Sequence, residues 1–139
     1  MTADRIKTAI IAALENAKPD TSITVSDAQS FDDVALPRIT IGIAGTEPHS
    51  PTLPGVQKLA IELRLFAHAK DDDTRGDIDA WCESIERTIN DPTEFLVVVN
   101  GSATGARADY WLAAGGSSEW DETTIVVTWP AECWAIRTS

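Results

Sequence analysis

A long run of alternating apolar and polar residues constrains this chain more than any other feature. One side of the run carries Leu59, Ile61, Leu63, Leu65 and Ala67, and the other carries Glu62, Arg64 and His68. A period of two places successive side chains on opposite faces of a strand, so the run predicts a half-buried strand from Val56 to Ala69. Because that is long for a strand, we expect it to form a β-hairpin arm whose tip lies at residues 64–73.

Two segments show helical spacing instead. Ile6, Ile10 and Leu14 recur on one face before Lys18-Pro19 ends the pattern. A second apolar stripe comprises Ile78, Trp81, Cys82, Ile85 and Ile89 and ends at Asn90-Asp91-Pro92. Asp71, Asp72 and Asp73 precede it and are predicted to form an acidic turn, with the helix beginning at Thr74.

The remaining apolar runs indicate strands. These are residues 22–26, 37–44, 95–99, 109–114 and 123–129, with 131–137 as an edge strand after Pro130. Three segments are predicted as loops: the proline-rich 45–55, the hairpin connection 101–105, and 115–118. Strands therefore outnumber helices, and most neighbouring strands can pair as hairpins. The order predicts one α+β domain over residues 1–139, a mostly antiparallel (mixed) sheet with two helices packed on one face.

The charge of the chain bears on its partners. Eleven basic residues against 22 acidic ones give a formal net charge of -11. Such a surface repels phosphate backbones and anionic membranes, which argues against affinity for either. The N-terminal residues lack a basic, then apolar, leader pattern, and no apolar run approaches the roughly 20 residues of a membrane span. We expect the protein to fold in a cytoplasm.

Residues that could carry chemistry do not fall into catalytic patterns. Cys82 lies on a predicted helix stripe and Cys133 in a predicted strand, where both are expected to pack as small apolar side chains. A Cys82–His68 nucleophile pair is the weaker interpretation. The acidic residues at 71–79 lack the calcium-loop pattern, and residues 101–105 lack the Lys of a phosphate loop. We expect no catalytic, metal or cofactor site.

Tryptophan is unusually frequent relative to the other aromatic residues. Five of the nine aromatic residues are Trp, and the C-terminal third contains Trp111, Trp120, Trp129 and Trp134. These side chains are typical both of a small sheet's core and of protein interfaces. Trp120 stands between Glu119 and Asp121 in a predicted turn, so it fits the interface interpretation best.

The order and texture of these elements resemble those of a known family. The N-terminal helix, the entry Leu36-Pro37-Arg38-Ile39 into a strand, the long strand ending Leu63–Ala69, the helix ending Asn90-Asp91-Pro92 and the late strand 125–129 are similar to bacteriophage tail terminator (tail completion, head–tail joining) proteins. The resemblance covers nearly the whole chain and rests on no single motif.

That resemblance implies a virion protein assembled in the bacterial cytoplasm. Its members form a ring, typically hexameric, at the head-proximal end of the tail tube, where they stop tube growth and join neck or head-completion proteins. DNA would pass through the lumen without specific binding. The alternative is a monomeric or dimeric adaptor, or another neck protein. The predicted contact residues are Pro48, His49, Pro51 and Pro54 in the loop, Arg64, Phe66, His68, Asp71, Asp72 and Asp73 at the arm tip, and Trp120 as an anchor.

Overall fold

Three helices and six strands make up the computed structural model, which describes residues 2–28, 36–48, 55–69 and 71–138. In chain order the elements are α1 (Thr2–Ala17), β1 (Thr24–Asp27), β2 (Arg38–Pro48), β3 (Val56–His68), α2 (Asp72–Ile89), α3 (Pro92–Ser102), β4 (Ala106–Ala113), β5 (Ser117–Asp121) and β6 (Thr124–Arg137).

The strands form one mixed sheet in the order β1-β2-β3-β6-β4. The short strand β5 pairs with residues 124–128 of β6, and β4 pairs with residues 131–137 of the same strand. Only β1 and β2 run parallel; the β2–β3, β3–β6, β4–β6 and β5–β6 pairs are antiparallel. The predicted α+β class and mostly antiparallel sheet are therefore confirmed. The helix count is corrected from two to three.

All three helices pack on one face of the sheet. The core joins Ile6 and Ile10 of α1 and Ile85 of α2 to the inward side chains of the strands. On α3, the ring of Phe95 lies 4.5 Å from the ring of Trp111 on β4. A helix layer over one side of the sheet buries the apolar set of every long strand, and none of the described helices lies on the other side.

The alternating run forms β3, the central strand. Its odd-numbered residues from Leu59 to Ala67 are buried, as the period of two predicts. The hairpin with β2 is present, but β3 also pairs with β6 from Val56 to His68. Residues 64–66 are held between β2 and β6, and residues 67–68 pair with β6, so the start of the predicted arm tip lies within the sheet and that prediction is wrong.

The segment predicted as a strand at residues 95–99 is helix α3. Asp91 caps it by accepting a hydrogen bond from the Glu94 backbone N–H at 3.2 Å, and Pro92 stands in its first turn. Packing of Phe95 and Val99 into the core outweighs the β preference of the three valines. Residues 101–105 consequently end a helix rather than join a hairpin.

Strand boundaries differ from prediction at three further places. β2 continues through the predicted loop as far as Pro48, which pairs with Gln57. β5 begins at Ser117, inside another predicted loop. β6 is one strand with Pro130 inside it and lies in the middle of the sheet, not at its edge. Pro130 is accommodated where the neighbour of β6 changes from β5 to β4, a gap in the ladder on that side.

The second helix begins earlier than predicted. Asp71 is its N-cap, and its carboxylate accepts hydrogen bonds from the backbone N–H and the hydroxyl of Thr74, both at 2.8 Å. Asp72 and Asp73 are therefore the first helical residues and not part of a separate turn. Acidic residues in a first turn favour the positive end of the helix dipole.

Candidate assembly surfaces

The side of the sheet opposite the three helices is here called the open face, and none of the described helices covers it. We define it by the outward side chains of β2, β3, β6 and β4. Along β3 these are Lys58, Ala60, Glu62, Arg64 and Phe66, which alternate with the buried set. Each described residue of this set is at least partly exposed. The open face is thus a candidate contact surface.

An aromatic and aliphatic cluster occupies the β4 side of the open face. Tyr110 pairs with Trp134, and their rings stack with centroids 4.4 Å apart. Leu112, two residues along β4, is 55% exposed. On β6, Pro130 and Ile136 lie on the same face as Trp134, one on each side of it; Pro130 is exposed and Ile136 is partly exposed. Contiguous exposed apolar side chains of this kind mark interaction sites more often than isolated ones do.

Charges on the open face nearly balance. The four strands place Arg38, Lys58, Arg64 and Arg107 there, together with Glu47, Glu62, Asp109 and Glu132. Several are paired locally: Arg64 lies 2.9 Å from Glu62, and Arg107 lies 2.7 Å from Asp109. Glu132 accepts a 3.0 Å hydrogen bond from the Trp134 indole N–H. On these four strands the charges balance, and β5 adds one further acidic residue, Glu119, opposite Val126. The face therefore adds little to the acidic excess of the chain.

Three of the residues predicted for contact lie together on β3. Arg64 and Phe66 point to the open face, and the guanidinium of Arg38 stands 5.5 Å from the Phe66 ring centroid. His68 is at the end of the strand, where its ring nitrogen Nδ1 lies 3.0 Å from the Thr123 hydroxyl. Arg64 and Phe66 are available on the face, whereas His68 takes part in the connection to β6.

The other predicted contact residues are scattered. Asp71, Asp72 and Asp73 begin α2, outside the open face. Pro48 is the last residue of β2, and His49, Pro51 and Pro54 lie outside the described residues. The described members of the sequence-based set are thus divided between the sheet and the start of a helix.

Trp120 is not in the core. It belongs to β5, pairs with Ile125, and keeps 48% of its surface exposed. The guanidinium of Arg75, on α2, lies 4.9 Å from its ring centroid. A cation over an indole contributes about 0.5–1 kcal/mol at an exposed site. By contrast Trp111 and Trp129 are almost fully buried, as the core interpretation predicts for a small sheet.

Sequence reasoning missed a second apolar surface on α3. Phe95 and Val99 face the core, while Val97 and Val98 are 66% and 43% exposed. Beside Val98 runs a shallow groove of about 220 Å³ between α1 and α3, whose walls include Ala13 and Ala17. The apolar run at residues 95–99 predicts a strand in the sequence analysis. Its second apolar side becomes visible only when the residues are placed at helical spacing.

Thiol and ligand chemistry finds little support in the described part of the chain. Burial, reinforced by Glu86 and Asp79, raises the pKa of the Cys82 thiol to about 11. Burial alone raises the pKa of the Cys133 thiol to about 12. A thiol in this state is a poor nucleophile at neutral pH. Residues 2–28, 36–48, 55–69 and 71–138 contain no group of three or more metal-ligating side chains.

One cleft among the described residues is open and lined mostly by polar side chains. It measures about 400 Å³ and lies between the start of α1 and the end of the sheet. Arg5, Thr46 and Arg137 line it and are all exposed to solvent. Ligand pockets are more often enclosed and apolar.

Comparisons with known proteins leave the family open. No protein-family model matches the chain, and no curated protein matches it significantly. None of the helices in the described ranges combines the length and apolar character needed to cross a membrane.

Proposed function

We propose that this chain is a virion assembly protein that forms a ring at the head-proximal end of a bacteriophage tail tube. There it ends tube polymerisation and joins the tail to neck or head-completion proteins. The observation that carries the proposal is the cluster of exposed Leu112 with partly exposed Tyr110 and Trp134, on a sheet face that none of the described helices covers. A small domain with such a face and little sign of a ligand pocket is suited to contact with other proteins.

The resemblance in the order of elements supplies the particular role. A long hairpin, β2–β3, and an α+β sheet with helices on one face are compatible with it. A ring forms when two different surfaces of one subunit meet head to tail and the rotation closes. The partners proposed are further copies of this chain, the tail tube protein and a neck protein.

The acidic charge is compatible with a lumen through which DNA passes. Segment 71–91, which contains α2, carries eight acidic residues against two arginines. Like charge repels the phosphate backbone, so DNA would slide past such a surface without sticking. Binding to duplex DNA at low salt tests this: weak or undetectable binding is expected, and tight binding contradicts it.

Tube polymerisation tests the ring proposal directly. A tail tube protein, taken from the gene neighbourhood of this chain if one is encoded there, is polymerised with and without it. Tube lengths and ends are measured by negative-stain imaging. Tubes that are shorter and closed by a ring at one end are the expected result. Tubes of unchanged length with bare ends would contradict the proposal, and a monomer without effect on tubes would favour an adaptor.

Trp120→Ala provides a variant for the same assay. Because Trp120 is half exposed and its indole lies over the exposed guanidinium of Arg75, its loss should change the unfolding temperature little. Weaker ring formation or weaker tube capping is expected if the indole is a contact anchor. Loss of the folded monomer would instead assign Trp120 a structural role.

A further inference from the structure

The outer side of α3 is unlike the outer side of an ordinary surface helix. At 3.6 residues per turn, Val97 lies about 200° from both Phe95 and Val99, which face the core. Its side chain is 66% exposed, and the neighbouring Val98 is 43% exposed. A helix that is apolar on all sides is typically covered on all sides. We call Val97, Val98 and the adjoining groove against α1 the α3 surface.

The α3 surface and the open face lie on opposite layers of the fold. Phe95 of α3 packs on the inward ring of Trp111, while Leu112, the next residue of β4, points outward to the open face. An isologous dimer needs one self-complementary patch, whereas a head-to-tail contact needs two different ones. Two separate apolar surfaces on one small domain fit the second arrangement.

The distribution of charge along the chain favours the same two surfaces for contact between copies. Each copy carries a net charge of -11, so approach of two copies is opposed wherever the acidic excess is concentrated. More than half of that excess lies in segment 71–91 around α2. The α3 surface borders two acidic residues, Glu94 of α3 and its N-cap Asp91, with Arg87 beside them in the groove. Strands β2, β3, β6 and β4 place four basic and four acidic residues on the open face, and β5 adds Glu119, which pairs with Val126. Both surfaces carry a smaller acidic excess than segment 71–91 as a whole, so a contact between them brings together less like charge than a contact through the exposed side of α2 would.

We infer that the open face of one copy of this chain, centred on Leu112, Tyr110 and Trp134, packs against the α3 surface of the next copy, centred on Val97 and Val98. This contact would be the subunit interface of the proposed ring, so the inference rests on the proposed function. Tyr110 and Trp134 supply rigid aromatic area, and the paired charges around them form a polar rim.

Three single substitutions test the contact in the full chain. Leu112→Glu and Val97→Glu each place a carboxylate in one surface, and Ala80→Glu adds the same charge at an exposed position of α2 outside both. Self-association is measured by analytical ultracentrifugation over a concentration series. Leu112→Glu and Val97→Glu should each weaken it about tenfold or more, and Ala80→Glu should resemble the parent chain. Circular dichroism and thermal unfolding confirm that each monomer is folded.

Mixing the two interface variants distinguishes head-to-tail contact from a symmetric one. Leu112→Glu retains an intact α3 surface and Val97→Glu retains an intact open face, so one good contact can form between them. Each alone should be monomeric, and an equimolar mixture should contain one-to-one dimers. A mixture that stays monomeric while the parent chain assembles would overturn the head-to-tail pairing.

The outcomes for the contact and for the function are separable. Parent-like assembly of both single variants would overturn the proposed surfaces while leaving the ring intact. Rings that form through this contact but do not cap tubes would overturn the tail function and retain the contact. A parent chain that stays monomeric at every concentration, with and without tubes, would overturn the contact.

Discussion

The indole N–H of Trp129 donates a 3.0 Å hydrogen bond to the carboxylate Oε1 of Glu86, 43 residues earlier in the chain. Trp129 is 1% exposed in the middle of β6, and Glu86 lies on α2. The bond joins the most acidic helix to the central part of the sheet. It also gives a buried donor its partner, which buried polar groups require.

Replacing Glu86 should therefore destabilise the fold in graded steps. Glu86→Leu leaves the Trp129 N–H buried without an acceptor and should lower the free energy of unfolding by about 1–3 kcal/mol. Glu86→Gln retains an oxygen acceptor, so the free energy of unfolding of this variant should fall by less, about 1 kcal/mol. Denaturant unfolding followed by tryptophan fluorescence measures both. Equal stability of the Leu variant and the parent would contradict this role.

A second contact of Trp129 predicts a pair of glycine substitutions with different effects. A Cβ at Gly116 would lie 2.5 Å from Trp129 Nε1, whereas a Cβ at Gly115 would meet nothing within 4 Å. Gly116→Ala should destabilise by about 1–3 kcal/mol because the indole must move. Gly115→Ala should stay within about 0.5 kcal/mol of the parent. Thermal unfolding of the two variants side by side gives the comparison, and equal effects would refute it.

Asn100 gives a third prediction. Its side-chain amide donates to the Ala108 carbonyl at 2.9 Å and accepts from the Ala108 N–H at 2.8 Å. Asn100→Ala removes both bonds between α3 and β4 and should lower the free energy of unfolding by about 1–3 kcal/mol. Asn90→Ala, at the exposed end of α2, is the matched control and should have a small effect. Hydrogen exchange should show faster opening of β4 in the Asn100 variant alone.

Stability should fall at alkaline pH because of the buried thiols. Folding raises the pKa of Cys133 from its ordinary value of 9.0 to about 12, so the folded state retains a proton that the unfolded state releases. The stabilisation that comes from keeping the Cys133 thiol protonated is fully present below pH 9.0 and is lost as pH rises from there through about 12. Denaturation midpoints at about pH 8 and pH 10 should differ less in Cys133→Ala than in the parent. An unchanged difference would contradict this linkage.

The strongest periodic signals predicted the fold best. The alternation through Leu59–Ala67 and the helical stripes of α1 and α2 needed no knowledge of neighbours, because one face of each is buried. The run at residues 95–99 lacked that contrast, since α3 has apolar residues on both sides. The capping sequence Asp91-Pro92 with Glu94 was the available signal for a helix.

The contact surfaces were harder to predict for a related reason. Sequence patterns identify the buried side of a strand, but Leu112, Tyr110 and Trp134 become a cluster only when β4 pairs beside β6. That pairing joins positions more than 20 residues apart, and a bulge at Asp109 sets its register. Trp120 was singled out because its acidic neighbours exclude it from a core, and its exposure agrees.

The position of β6 has a consequence for the order in which the protein forms during synthesis. Thr124–Arg137 is the last of the described strands to leave the ribosome, yet it holds β3, β4 and β5 together. Until it emerges, β3 has a bare edge from Val56 to His68, and β4 and β5 have no partner in the sheet. The nascent chain must therefore remain incomplete and open to wrong pairing until translation has passed Arg137.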